Sequence, residues 1–369
     1  MEKLPPEITT NILSRLPIKS SVQCRCVCKP WCEILTDSKF PLIHLNQIST
    51  ISPDILVYSI SHEILYLDDS KEAFGRKPIK PFKVFSENFM HNSFYKKDSI
   101  VLGSCNGLIC LAKFEGPLTP SNPICIFNPI TETCSKLPDY KDPEFEMPTG
   151  LNHKRFMYGF GFDDSKQEFK FVLVTFFSNL SEVQICTLGD STWRRKTGCA
   201  PDVLNLASRQ HSTAFVNQCL HWVADVRLTI PIIVSFNSGV EEFDFVPIPP
   251  SNKLRKLTVG VLEGHLSAVD YTYVNYIHIW VMKKYKVKES WVKQFSIKHD
   301  LICRDCDHFF CYFETLKFRK NGELLLLCNG RDFLSYNIRS RKIMIYKIEE
   351  DKGRATVTVA REKLYVVVF

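Results

Sequence analysis

Two hydrophobic periods divide the chain. Over residues 4–35, "LPPEITTNILSRLPIKSSVQCRCVCKPWCEIL", apolar positions recur every three or four residues, the spacing that lays a stripe along a helix. Pro5 and Pro6 suit a helix entrance, where a missing N–H costs little. Ile8, Ile12, Leu13 and Leu16 then read as one apolar face, and Pro17 stops the run. Ser20 and Ser21 are placed to cap a second helix carrying Val22, Cys26 and Val27. Pro30 fits the first turn of a third, which presents Trp31, Ile34 and Leu35. The pattern predicts three short helices. A unit this small buries too little surface to be firmly stable alone. Its apolar residues cover more than one face, so some must meet a partner or the rest of the chain.

From about Ile51 the helical period gives way to short apolar runs broken by Gly, Asn, Asp and Pro, with no convincing long helix. Regular short strands with turn signals predict a sandwich, a barrel or a propeller. Internal similarity chooses among them. "NGLICLAKF" leads to "ICIFNPITETCSKLP", "NQCLHWVAD" to "IIVSFNSGVEEFDFVPIP", and "NGELLLLCNG" to "FLSYNIRSRKIMIYKI". Each unit ends a strand on an aromatic followed by Asn: Phe127-Asn128, Phe236-Asn237 and Tyr336-Asn337. Asn tolerates the left-handed conformation of a hairpin turn, and the aromatic before it can pack between sheets. The anchors lie about two four-stranded units apart, and "GFGFDDSKQEFKFVLVTF" and "HLSAVDYTYVNYIHIWVMKK" open the units that fill the gaps. The reading is an all-β propeller of about six divergent blades, with seven or eight left open. The final "TVTVAREKLYVVVF" is strand-like and is expected to pair with the early "DILVYSI" and close the ring.

Composition changes this picture little. Of 369 residues 45% are hydrophobic, with 27 Phe and 13 Tyr, ample for a large core and far from a disordered composition. The 15 cysteines are scattered, the first residues form no secretory signal, and no apolar run reaches the length of a membrane span. A reducing compartment, cytoplasm or nucleus, and free thiols are expected. The net charge of +7 is mild and the two signs are interspersed, which argues against nucleic acid as a partner. The densest basic stretch, "MKKYKVKESWVK", is read as a strand with Lys284, Lys286 and Lys288 on one solvated face.

Candidate chemistry is sparse. Cys24, Cys26, Cys28 and Cys32 match no zinc spacing and, on a helix, would not converge. "CRDCDHFFC" (Cys303, Cys306, His308, Cys311) holds four possible ligands in one tight cluster, which rarely reaches all four corners of a zinc site. The "GDST" starting at Gly189 lacks the strand–turn–helix setting of a nucleophilic serine, His221 beside Trp222 reads as packed, and "GFGFDD" as a hairpin without the downstream Glu of a calcium loop. No catalytic residue, metal or cofactor is expected.

Leu4-Pro5, Glu7-Ile8, Ile12-Leu13, Arg15-Leu16-Pro17, Lys19-Ser20, Arg25, Val27-Cys28-Lys29 and Trp31 resemble, in order and without gaps, the F-box motif of plant F-box proteins. "SCNGLICL", "IFNPITE", "GFGFDD" and "VSFNSGVEEFDFVPIP" are similar to the plant F-box-associated domain, a kelch-like propeller, although the double glycines of kelch repeats are missing. Ser21, Cys24 and Pro30 depart from the motif, where Leu, an aromatic and Ser are usual. The resemblance implies an F-box over 1–45, a linker over 46–53 and a propeller over 54–369. It also implies docking on a Skp-type adaptor, and through it on cullin and RING subunits, by Leu4, Pro5, Ile8, Ile12, Leu16, Pro17, Val22, Val27, Cys28, Lys29, Trp31 and Ile34. Cys26 and Cys28 then read as small packing residues around the second helix.

The implied role is that of a non-catalytic substrate receptor of a ubiquitin ligase, marking a target protein for degradation, with neither nucleic acid nor membrane as partner. A propeller enzyme or small-molecule binder with a helical appendage is the alternative. Target recognition is expected in the loops 75–83, 114–123, 139–156 and 225–231, whose irregular sequences set them apart from the strands.

Overall fold

The structure, a computed structural model, describes residues 4–16, 18–37, 40, 43–44, 47, 55–58, 64–67, 82–83, 99–114, 120–128, 133–141, 155–177, 180–197, 200–201, 213–224, 230–251, 253–273, 275–298, 312–319, 321–330, 332–346 and 365–368. Its contacts group the chain into two compact units, residues 1–113 with 125–136 and 348–369, and residues 114–124 with 137–347.

The first unit opens with α1 (Pro6–Leu13), α2 (Ile18–Cys24) and α3 (Lys29–Thr36). Proline starts two of them, as its fixed φ and missing donor favour: Pro6 is the first residue of α1, and Pro30 follows Lys29 into α3. The second helix departs from expectation. It begins before the two serines and ends before Cys26, so Ser21 lies inside it, buried, with its hydroxyl donating to the Leu16 carbonyl at 3.4 Å instead of capping. Cys26 and Val27 fall in the turn after it.

The apolar residues of α1 also divide. At about 100° per residue, Ile12 and Leu13 cannot share a face. Leu13 is buried while Ile8 and Ile12 are exposed.

Every sheet holds four strands, and the described strands form six such sheets. The first unit contains β1 (Ile55–Tyr58), β2 (Ile64–Leu67), β3 (Phe82–Lys83), β4 (Ser99–Cys105), β5 (Leu108–Phe114, to Lys113), the second half of β6 (Pro120–Asn128) and β7 (Thr133–Lys136). Strand β24 (Tyr365–Val368) joins it as well, pairing antiparallel with β1 from Ile55↔Val368 to Tyr58↔Tyr365. The chain's last strand thus completes the sheet its first strand begins, as the sequence pattern anticipates.

The second unit holds four consecutive meanders. They are β8 (Arg155–Asp163) to β11 (Arg194–Thr197) through β9 (Glu168–Phe177) and β10 (Leu180–Thr187); β12 (Ala214–Val216) to β15 (Glu242–Val246) through β13 (Cys219–Ala224) and β14 (Ile232–Asn237); β16 (Leu257–Leu262) to β19 (Trp291–Lys298) through β17 (His265–Asp270) and β18 (Tyr276–Met282); and β20 (Phe313–Phe318) to β23 (Ile343–Tyr346) through β21 (Leu324–Cys328) and β22 (Asp332–Tyr336). The sheets pack face to face in chain order. Val172, Val174 and Ile185 meet Leu220, Trp222 and Phe236; Ile233 and Val246 meet Val259, Ala268 and Trp280; Ile277, Ile279 and Val281 meet Phe313, Leu326 and Tyr336. The first strands β12, β16 and β20 lie successively against one another, the convergence that blades show about an axis. A sheet covered on both sides needs apolar residues on both faces of its middle strands, which is where the phenylalanine-rich composition goes. No seventh or eighth four-stranded sheet occurs among the described residues.

The three aromatic–Asn anchors close third strands two sheets apart, and Phe127, Phe236 and Tyr336 are all buried. The Asn acts differently from expectation. Asn237 Oδ1 accepts from the N–H of Gly239 (2.8 Å) and Val240 (3.1 Å), and Asn337 Oδ1 from Ser340 N–H (2.9 Å). The left-handed residues are Glu241 and Arg341, four positions later. The side chain of Asn holds the turn; its backbone does not make it.

The lysine row is also corrected. Residues 283–290 form the β18–β19 connection, closed by Lys283 N–H to Ser290 O at 3.0 Å, with Lys286 at positive φ and a 3-10 turn over Lys288–Ser290. Lys286 pairs with Asp244 instead of alternating along a strand.

Candidate functional site

Among the described residues, the helical unit is built on a core of Leu13, Leu35 and Phe40, with Leu16, Cys24, Trp31 and Ile34 packed against it. Polar groups lock the packing. Ser14 is buried and donates to Asn11 O at 2.9 Å, and His44 Nε2 lies 2.8 Å from the Leu16 carbonyl. Against this small interior stands an apolar exterior: Leu4, Ile8, Ile12 and Val27 are 60, 48, 47 and 62% exposed. Leu4, Ile8 and Ile12 follow at intervals of four, one row along α1 and its approach.

The residues expected to dock thus separate into two groups. Leu4, Pro5, Ile8, Ile12, Val27, Cys28 and Lys29 are exposed; Leu16, Trp31 and Ile34 are half-buried on the unit's own core. Pro17 lies outside the described residues, as does the side chain of Val22. The exposed Ile43 was not anticipated; only its place in the segment trailing the motif marked it. The cysteines reverse their expected roles. Cys26 and Cys28 are exposed, whereas Cys24, with its thiol pKa pushed up by burial, is the one that packs on the core. The reason is the early end of α2, which leaves Cys26 in a turn.

Other candidates resolve into structural parts. His221 is buried, with Nδ1 3.1 Å from Ala214 O and Nε2 2.8 Å from the Tyr285 hydroxyl, and burial pushes its pKa down to about 4. It is a neutral, fully partnered imidazole. Gly189 and the residues after it form the exposed β10–β11 turn, with Gly189 at positive φ. Cys303, Cys306, His308 and Cys311 lie outside the described residues, as do most of the four loops assigned to target recognition.

A buried charge cluster among the described residues was not foreseen. "GFGFDD" is indeed a hairpin, but its Asp163 is wholly buried and accepts from Ser165 N–H (3.0 Å), Ser165 Oγ (2.6 Å), Lys166 N–H (3.3 Å) and Lys170 Nζ (3.0 Å). Lys170 also donates to Glu241 (3.1 Å), which receives two bonds of 2.7 Å from Arg194. Burial raises the pKa of both carboxylates, but these donors and charges outweigh it and hold each at about 2. Two carboxylates so firmly ionised cannot serve as a general acid; the cluster is a latch between sheets.

This succession of meanders behind a helical unit has known counterparts. Residues 68–366 match the F-box associated beta propeller domain and residues 1–43 the F-box domain. The chain belongs to the F-box proteins with an F-box-associated β-propeller. Three relatives, all from Arabidopsis thaliana, illustrate the reach of the similarity. The F-box protein At3g07870 is 31% identical over 94% of this chain and 85% of its own. F-box protein CPR1 is 25% identical over 95% and 86%, and the F-box/kelch-repeat protein At3g23880 is 26% identical over 80% and 79%.

Proposed function

We propose that this chain is the target-recognition subunit of a Skp–cullin–F-box ubiquitin ligase. The F-box docks on a Skp-type adaptor, which brings cullin and RING subunits, and the propeller, each four-stranded sheet taken as one blade and about six in all, holds a protein to be ubiquitinated and degraded. In this reading the F-box spans 1–45, a linker 46–53 and the propeller 54–369. The chain performs no covalent chemistry, uses no cofactor, and works in the cytoplasm, the nucleus or both.

One observation carries the proposal: the exposed apolar row Leu4, Ile8 and Ile12, with Val27, on a unit whose core among the described residues is Leu13, Leu35 and Phe40. Covering four such side chains is worth roughly 1.5–3 kcal/mol each where burial is complete, which a docking partner would recover. Among the described residues of the propeller, buried Asp163, Lys170 and Glu241 are paired with one another and His221 is neutral, as structural groups would be. The test is co-purification of the full chain with a Skp-type adaptor. Leu4→Ala with Pro5→Ala is expected to abolish it, and undiminished capture by that double variant would refute the assignment of this face.

A further inference from the structure

The β18–β19 connection, residues 283–290, is an exposed turn with an unusually complete set of anchors. Within it, Lys283 N–H donates to Ser290 O (3.0 Å), Lys286 N–H to Met282 Sδ (3.0 Å), Val287 N–H to Lys284 O (3.1 Å) and Ser290 N–H to Val287 O (3.0 Å). It is also fastened to the neighbouring sheet. His221 Nδ1 donates to the Ala214 carbonyl, which leaves Nε2 as an acceptor, and the Tyr285 hydroxyl donates to it at 2.8 Å. Burial and the adjacent Cys219 thiol push the Tyr285 pKa above its ordinary value, so the hydroxyl keeps its proton. One residue on, Lys286 Nζ pairs with Asp244 of β15, and just past the turn Trp291 Nε1 donates to the Pro247 carbonyl at 2.8 Å. Three side chains thus tie one turn to the β12–β15 sheet.

What the anchored turn displays is positive charge. Lys283, Lys284 and Lys288 are exposed and make no ion pair among the described residues. Glu289, the turn's own acid, is exposed beside them, and Asp244, which reaches the turn from β15, is already held by Lys286. Val287 stands exposed among the lysines. A merely solvated lysine turn has no need of a buried hydroxyl to hold it. A backbone fixed beforehand lowers the ordering cost of binding.

We propose that this knuckle, Lys283, Lys284 and Lys288 around Val287, binds a carboxylate-rich segment of a partner protein, with Tyr285 as the residue that positions it. In the receptor reading above the partner is the captured target, and that identification rests on that reading; the binding surface does not. Chemistry chooses the class of ligand. Lysine ammoniums are point charges without the fork that arginine offers to phosphate, and no arginine occurs over residues 276–298. The N–H groups of Lys283, Lys286, Val287 and Ser290 are spent inside the turn, so they form no nest for a phosphate. Tyr285 and Trp291 are committed to the neighbouring sheet and offer no platform on which bases could stack. Spaced carboxylates on spaced ammoniums fit this surface best, a contact whose strength falls with salt.

Fluorescence anisotropy of a labelled oligoglutamate peptide with the full chain tests the proposal. Lys284→Glu with Lys288→Glu is expected to weaken binding about tenfold or more, through two lost surface pairs and the added repulsion. Lys253→Glu with Lys298→Glu makes the same change in net charge at the opposite end of the sheet, where both residues are exposed, and is expected to leave binding unaltered. Raised salt weakens binding by the parent. Tyr285→Phe keeps every charge and is expected to weaken binding several-fold while amide exchange over 283–290 quickens. Absence of peptide binding, equal effects of the two charge reversals, or tighter binding of oligothymidylate through the same lysines would each overturn the proposal. Quickened exchange with unchanged binding in Tyr285→Phe would overturn the positioning role. Adaptor co-purification is scored separately on the unmodified chain; its failure removes the receptor reading and leaves the peptide result standing.

Discussion

Lys170 Nζ lies 3.0 Å from Asp163 Oδ2, and the two side chains are 1% and 0% exposed. An ammonium taken out of water needs an acceptor for each of its three protons, and this one has Asp163, the Ser238 carbonyl at 2.7 Å and Glu241 at 3.1 Å. Lys170 belongs to β9, whereas Ser238 and Glu241 belong to the turn after β14 in the next sheet. The contact therefore fastens one sheet to its neighbour at the end where a hairpin turn and a strand-closing turn meet. Apolar packing alone is non-directional; a fully satisfied buried cation fixes the relative register of the two sheets.

Lys170→Met is expected to destabilise the protein by about 3–5 kcal/mol, because it leaves Asp163 buried without its counter-charge. Urea unfolding of the variant checks this. A loss under ~1 kcal/mol would place the pair with exposed ion pairs and remove its role as a latch.

The same cluster sets an acid limit. Asp163 and Glu241 titrate at about 2 in the folded protein against ordinary values of 3.8 and 4.5. Their folded pKa values are depressed, so the unfolded chain takes up protons first as pH falls. The stability they contribute is complete above the ordinary values and drains away between roughly pH 4.5 and 2. Unfolding midpoints measured across that window should fall with pH in the parent and fall less steeply in Glu241→Gln. Parallel curves for the two proteins would show that Glu241 contributes nothing to the acid transition.

The fold was legible where a pattern repeats. A change from a helical to a strand period marks the boundary between the helices and the sheets, and Phe127-Asn128, Phe236-Asn237 and Tyr336-Asn337 mark alternate sheets because each aromatic is buried near the end of a third strand and the Asn follows it there. Local spacing could not tell which side of α1 faces inward, since both Ile12 and Leu13 are apolar and only the tertiary contacts of Leu35 and Phe40 choose Leu13. Lys170 was illegible for a related reason. A lysine in a strand reads as solvent-facing, and its partners Ser238 and Glu241 are far along the chain. The basic stretch around Lys286 misled because its alternation imitates a strand, while Ser290 Oγ, bonded to Lys284 O and Val287 O at 2.7 Å each, folds it into a turn.

Gly260 is required by a close approach between sheets. A Cβ at this position would stand 2.6 Å from Thr315 Oγ1 and 3.2 Å from the Thr315 carbonyl, while Thr315 is hydrogen-bonded to Ser267 at 2.7 Å. Gly260→Ala must push β20 away or break that bond, and is expected to cost about 1–3 kcal/mol. Adding Thr315→Ser, which keeps the hydroxyl and removes a methyl, leaves most of that loss in place. Full recovery in the double variant would show that the methyl, not the hydroxyl and backbone, makes the contact tight.

The two groups of apolar residues in the helical unit make opposite predictions. Leu35 is wholly buried, and Leu35→Ala is expected to cost about 2–5 kcal/mol, much or all of what so small a unit has. Ile8 and Ile12 touch solvent, so Ile8→Ala with Ile12→Ala is expected to leave stability within about 0.5 kcal/mol for each substitution. If the row on α1 meets an adaptor, the same pair weakens that contact by ~2 kcal/mol or more, roughly 30-fold in affinity. The diagnostic is the combination, measured as thermal unfolding of the helical unit within the full chain and as adaptor binding by calorimetry. A double variant that unfolds early would move Ile8 and Ile12 into the core. One that stays folded and binds the adaptor as tightly as the parent would leave the exposed row without a partner there, and docking would have to be sought around Val27 and Lys29.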